Sequence, residues 1–230
     1  MKKNIFIILL LFAFFTTFAQ RDTAAKTPPF EILSKGTTAV QLFLGSQGIG
    51  LDYRALVAPK FGVRVGFSAI PRLGLVANSG RYSNDISGHI LNAHSLVDYS
   101  PFSKGAMKFF KFVIGFAYIS GKGTYVRTPY DGAFKFGDIS LTSEEVGRVV
   151  ATTEYKGFAP YAGIGAFDFL KSKKWGVNMD FGTYFLPRPN TSIDGSGMLI
   201  GMNSQNDQLQ ENLKGYRWLP VIQFNLIYKL

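Results

Sequence analysis

Residues 218–230 read Trp218-Leu-Pro-Val-Ile-Gln-Phe-Asn-Leu-Ile-Tyr-Lys-Leu230. Pro220, Ile222, Phe224, Leu226, Tyr228 and Leu230 fall on one face of an extended strand. Gln223, Asn225 and Lys229 fall on the other, with Val221 and Ile227 as its apolar members. Side chains of a strand alternate between faces, so this stretch is a strand with one apolar side and one mixed side. Running such a strand to the last residue suits a closed barrel, whose final strand pairs with its first.

The same alternation recurs upstream. Gly48–Val57 sets Ile49, Leu51, Tyr53 and Ala55 against Gly48, Gly50, Asp52 and Arg54. Phe61–Ile70 sets Phe61, Val63, Val65 and Phe67 against Gly62, Arg64, Gly66 and Ser68. A charge facing lipid costs several kcal/mol, so an apolar face unbroken by charge is the lipid face and the charged face is the lumen. Inner glycines are expected to make room for the long arginines. On that reading Val65→Arg blocks assembly and Gly66→Ser is tolerated.

Five further segments complete an expected eight. They are Thr37–Ser46 (Val40, Leu42 and Leu44 on one face), His89–Tyr99, Phe110–Ile119, Tyr155–Phe167 and Trp175–Phe185. His89–Tyr99 places Leu91, Ala93, Val97 and Tyr99 outside and Asn92, His94 and Asp98 inside. Lys111 and Gly115 face inward in the next segment, and Asn178, Asp180, Gly182 and Tyr184 in the seventh. Pro160 lies inside a strand and signals a bulge or an unusual edge. The fold class expected is all-β: an eight-stranded antiparallel up-and-down transmembrane β-barrel. Ten strands are the alternative, if Thr124–Arg127 and Gly147–Thr153 form an extra hairpin above the membrane. Ala58–Lys60, Ser100–Met107 and Asp168–Lys174 read as short turns. Gln47 marks a tight turn at the opposite end, where Pro71–Gly88, Ser120–Glu154 and Pro187–Gly215 read as long connections. Residues 205–215 read as a short helix closed by Gly215.

The N-terminus has the parts of an export signal: Lys2 and Lys3, an apolar run over Ile5–Phe15, and Thr17-Phe18-Ala19 before a cut at Gln20. The run is too short for a spanning helix, which needs about 20 residues. Residues 1–19 are therefore expected to be a cleaved signal, 20–35 (with Pro28-Pro29) a short periplasmic lead-in, and 36–230 the barrel. The chain is 47% hydrophobic with 22 phenylalanines, dispersed over alternating segments, which suits lipid contact and two aromatic girdles. Tyr99, Phe102 and Trp175 are expected at the short-turn girdle, and Tyr118, Phe185 and Trp218 at the other. The formal charge is +10, of which Lys2 and Lys3 supply two, and there is no cysteine. An exported basic barrel meets outer-membrane lipid and anionic lipopolysaccharide, and nucleic acid is in the wrong compartment.

The segment from Lys156 onward resembles a family of small, porin-like bacterial outer-membrane β-barrel proteins. The shared pattern is Gly157-x-x-Pro160-Tyr161-x-Gly163-Ile164-Gly165, Trp175-Gly176, Asp180-x-Gly182, a break at Pro187–Pro189 and Pro220-Val221-Ile222. The resemblance covers about the last third of the chain. It implies the barrel fold and names no activity. It also implies that the barrel-assembly machinery reads Phe224, Leu226, Tyr228 and Leu230. The family usually ends in Phe where this chain has Leu230, and the insertion signal commonly has Gly where it has Asn225.

Asp52, Arg54, Arg64, Lys111, Asn178 and Asp180 are the lumen-lining candidates. They form either a polar path or an ion-paired plug. The plug is favoured, because eight strands leave an interior just wide enough for side chains to fill. His89 and His94 are the only histidines, five apart and so on opposite faces, which argues against a shared metal. His94 also faces away from Ser95, against a catalytic pair of the lipid-A-editing kind. Gly48-Ile49-Gly50 and Gly163-Ile164-Gly165 lack the Lys-Ser/Thr of a phosphate loop. No catalysis, cofactor or metal is expected, and the small-molecule ligand stays open. A barrel binding small hydrophobes through a lateral opening, supported by Pro160, is the alternative. A soluble lipocalin-like binder would need the reverse assignment of faces.

Overall fold

Alternation persists wherever the chain pairs with itself, and the pairing closes into a ring. The computed structural model describes residues 37–102, 106–166 and 174–230. The expected signal (1–19) and lead-in (20–35) lie outside the described residues, as does most of the turn expected at Asp168–Lys174. The strands are β1 (Thr38–Gly45), β2 (Gly48–Ala58), β3 (Phe61–Ser79), β4 (Tyr82–Tyr99), β5 (Lys111–Pro129), β6 (Phe134–Phe136), β7 (Ile139–Leu141), β8 (Val149–Ala166), β9 (Trp175–Phe185), β10 (Asn190–Gly195) and β11 (Trp218–Lys229). Antiparallel pairing runs β1-β2-β3-β4-β5-β8-β9-β11 and returns from β11 to β1. Those eight strands are the barrel wall. The closing seam matches Ala39 with Lys229 through Gly45 with Gln223.

Leu42, Leu44, Ile49, Leu51, Val65, Phe67, Ile114, Phe116, Ile222 and Phe224 all point outward and are exposed. This belt meets lipid, where every backbone group must be satisfied inside the protein, and ring closure satisfies them. Aromatic pairs edge the belt at both ends. Phe61 stacks on Tyr99 and Trp175 packs on Tyr228 at the end holding the Ala58–Phe61 turn, each at 4.8 Å between centroids. Phe185 packs on Trp218 at 4.9 Å and Tyr118 on Phe158 at 5.4 Å at the other.

Three expectations about the loops are corrected. Pro71–Gly88 is not a loop: β3 and β4 run on, past an irregularity between Ile70 and Leu73, and turn at Gly80-Arg81. Thr124–Arg127 and Gly147–Thr153 do pair with each other, but they are not two extra strands. They are largely the upward continuations of β5 and β8, matching Thr124 with Thr152 and Arg127 with Val149. The connection 187–215 contains a strand the alternation did not reveal, β10, paired to the top of β8 from Glu154 to Val149. The physical reason is common to all three. Above the membrane no lipid enforces an apolar face, so strands persist on backbone pairing without the alternation that would announce them; β10 buries only Thr191 and Ile193.

β3, β4, β5, β8 and β10 thus form an open sheet standing on one side of the ring. Its β10 edge is covered. Backbone N–H groups of Thr191, Ile193 and Gly195 donate to the side-chain oxygens of Gln210, Asn206 and Asn203 at 2.9, 2.7 and 2.5 Å. Two of these amides lie in the helix Asn206–Leu213, which the sequence placed within 205–215. Pro160 makes no bulge: β5 and β8 stay in register across Phe116 and Pro160. It marks an edge instead, because β8 meets β9 only from Tyr161 to Ala166.

Candidate functional site

Inner faces of β2, β3, β4, β5 and β9 bring their charges together inside the ring. Arg64, from β3, is 1% exposed and lies at the centre. Its Nη1 is 2.7 Å from Asp180 Oδ2 and 3.9 Å from Asp52 Oδ2, and its Nη2 is 3.0 Å from Asp98 Oδ1. Lys111 Nζ lies 2.9 Å from Asp180 Oδ1 and 3.7 Å from Asp98 Oδ2. Arg54 Nη2 reaches Asp98 Oδ2 at 2.6 Å. Three carboxylates therefore meet three cations. Register explains the need: Arg54 and Arg64 are direct cross-strand partners, and like charges so placed repel. Asp98, one strand further on, bridges both.

Amides link the charges to the wall. Gln41 Nε2 donates to Asp52 Oδ2 and to Asn225 Oδ1, each at 3.0 Å, and Gln41 Oε1 accepts from Arg54 Nη1 at 3.2 Å. Asn225 Nδ2 donates to Asn178 Oδ1 at 2.6 Å and Asp180 Oδ2 at 3.1 Å. Towards the loop side, Asn92 Nδ2 donates to Gln47 Oε1 at 2.8 Å, and Gln47 donates to Gln223. His94 Nε2 sits 2.8 Å from Asp52 Oδ1. Packed beside these is an apolar cluster that includes Leu96 and Val113, the cross-strand partners of Arg64 and Asp98, with Tyr161, Tyr184 and Val221.

The six sequence-derived candidates are thus in one network: Asp52, Arg64, Lys111 and Asp180 buried, Arg54 and Asn178 half-buried. Asn92, His94, Asp98, Gln223 and Asn225 had been assigned to the inner face but not to the site. Alternation tells which face a residue takes and not its height. The sequence marks Gln47 only as a tight turn and gives Gln41 no role; the one signal for Gln41 is a glutamine between Val40 and Leu42. His89 is exposed on the outer face, away from His94. Among the described residues, no group of three or more His, Asp or Glu side chains could hold a metal ion.

The inner glycines make room for other partners than expected. A Cβ on Gly66 would stand 2.1 Å from Asp52 Oδ1 and 2.4 Å from the Leu51 carbonyl oxygen, and one on Gly165 1.9 Å from Lys111 Cε. They seat Asp52 and Lys111 rather than the arginines. The expected tolerance of Gly66→Ser is therefore corrected: the added atoms collide with backbone as well as with a flexible side chain.

No protein-family model matches the chain, and no curated protein matches it by sequence. Solved structures do match. CarO of Acinetobacter baumannii aligns with a TM-score of 0.61 at 18% identity, over 83% of this chain and 96% of that one. CarO2 of the same organism aligns at 0.62 and 19% identity, over 84% and 98%. The fold is that of an outer-membrane β-barrel. A major outer membrane protein of Thermus thermophilus aligns at 0.47 and 13% identity, over 85% and 99%.

Proposed function

We propose that this protein is a non-catalytic outer-membrane barrel of porin-like or structural type, whose lumen is closed by its own side chains. The observation that carries this reading is Arg64, buried between three carboxylates drawn from β2, β4 and β9. A conducting path needs water beside its charges. Here the charges are spent on one another, and amides occupy the space between them. An ion pair held away from water stays in place only when its partners satisfy it, so the network acts as a fixed plug. Against catalysis, His94 is 5% exposed and contacts Asp52 in the lumen, with Phe43 tilted against its ring at 5.9 Å. Phe224, Leu226, Tyr228 and Leu230 continue the outer stripe to the end of β11, which supports their reading by the assembly machinery.

The test is conductance in a planar bilayer, on protein whose folding is verified by a boiled-versus-unboiled gel shift. The expected result is a shifted, folded band with no steady conductance. Steady unitary steps from folded protein would overturn the closed lumen.

A further inference from the structure

The barrel wall has a seam that hydrogen bonds do not close. On the side away from β5, β8 pairs with β10 from Val149 to Glu154 and with β9 from Tyr161 to Ala166. Residues 155–160 have no sheet partner on that side among the described residues. The chain opposite is Leu186-Pro187-Arg188-Pro189, where proline lacks the N–H a ladder needs. Pro187 fronts the seam, its Cγ 3.5 Å from where a Cβ of Gly157 would stand, and Gly157 carries no side chain to fill the gap. The seam lies at the loop-side girdle, beside Phe158 and Tyr118. An unpaired stretch of wall at that level is unusual, because backbone groups exposed to lipid go unsatisfied.

Behind the seam is a cavity of about 360 Å³, lined by Ile90, Tyr155, Leu186, Arg217, Trp218 and Leu219. That volume lies in the range of small-molecule sites, which are mostly apolar with a few placed polar groups. Ile90, Tyr155 and Leu219 pack on the apolar cluster, which forms its floor. Two of its polar groups are already bonded. The Tyr155 hydroxyl donates to the Tyr216 carbonyl at 2.6 Å, and Arg217 Nε donates to the Leu186 carbonyl at 2.8 Å. Arg217 also lies over the Phe185 ring at 4.1 Å, and its terminal guanidinium nitrogens have no hydrogen bond among the described residues.

We infer that this mouth is a binding site for one hydrocarbon chain of an amphiphile with an anionic head: the chain enters through the seam at residues 155–160 and the head meets Arg217. This goes beyond the closed lumen and does not require it. The chain could come from a free fatty acid or from an anionic membrane lipid.

The experiment uses the full barrel in phosphatidylcholine nanodiscs, titrated with tritiated palmitate, with empty nanodiscs subtracted. Saturable binding near one per barrel is expected. Leu219→Trp and, separately, Leu186→Trp fill the cavity and should abolish it. Arg217→Gln should weaken it about tenfold, the worth of a charge-assisted contact, and Arg217→Lys should restore most of that. Each variant is scored only with an intact gel shift. Replacing part of the phosphatidylcholine by phosphatidylglycerol separates the sources. Falling palmitate binding assigns the site to membrane lipid, and unchanged binding assigns it to the free acid. Uptake equal to that of empty nanodiscs, or unchanged by both cavity-filling variants, would overturn the inference.

Discussion

β3 is one strand with two lives. From Phe61 to Ile70 its side chains separate cleanly: Arg64 and Ser68 are buried in the lumen, while Phe61, Val65 and Phe67 meet lipid. From Pro71 to Ser79 every residue is exposed, and the edge away from β4 has no sheet partner among the described residues, because β2 ends its pairing at Ala69. Both halves pair with β4. What differs is the solvent. Below, lipid on one side and a packed lumen on the other give each position a fixed penalty for the wrong residue. Above, water on both sides withdraws the penalty, and the ladder alone holds the strand.

Four substitutions along this strand test that contrast, in falling order of effect. Arg64→Ala leaves Asp52, Asp98 and Asp180 with a buried cation missing. The barrel should lose about 3–5 kcal/mol, the usual cost of breaking a buried ion pair, read from urea unfolding in lipid vesicles. Val65, 55% exposed, faces the middle of the apolar belt. Val65→Arg should cost about 2–4 kcal/mol and deplete the folded, heat-modifiable band in isolated membranes. Gly66→Ser adds atoms where Asp52 and the Leu51 carbonyl already stand, for about 1–3 kcal/mol of overpacking in the same unfolding assay. Leu75 is 73% exposed in the upper half. Leu75→Ser should shift stability by no more than about 0.5 kcal/mol, as for an ordinary surface site. Equal effects at Val65 and Leu75 would erase the distinction between the halves.

The same contrast explains what could be read in advance. Asp52, Arg54 and Arg64 were identifiable as lumen residues because each is a charge flanked by apolar neighbours in a strand. Asp98 had the same signature in a weaker setting, between Val97 and Tyr99, and so was placed on the inner face without being joined to the site. Its role as the shared partner of Arg54, Arg64 and Lys111 depends on the stagger between strands, which period-two alternation does not carry. Gly66 shows the limit most sharply. Alternation shows its inward face and suggests an arginine neighbour, whereas cross-strand register puts it directly opposite Asp52. β10 was invisible for another reason. Asn190–Gly195 has Ile193 as its single large apolar residue, too little for an alternating signal, and its edge is held by Gln210, Asn206 and Asn203, which sequence distance separates from it.

The sequence alone determined that this chain is a transmembrane barrel, which way each wall residue faces, and which charges must lie inside. Lipid imposes those choices residue by residue, so they are written locally. Only the tertiary structure decided which charges meet, how glycines seat Asp52 and Lys111, how far the strands rise above the membrane, and where the wall between β8 and β9 is left unpaired. Those depend on register and ring closure, in which positions more than a hundred residues apart, such as Arg64 and Asp180, come within hydrogen-bonding distance.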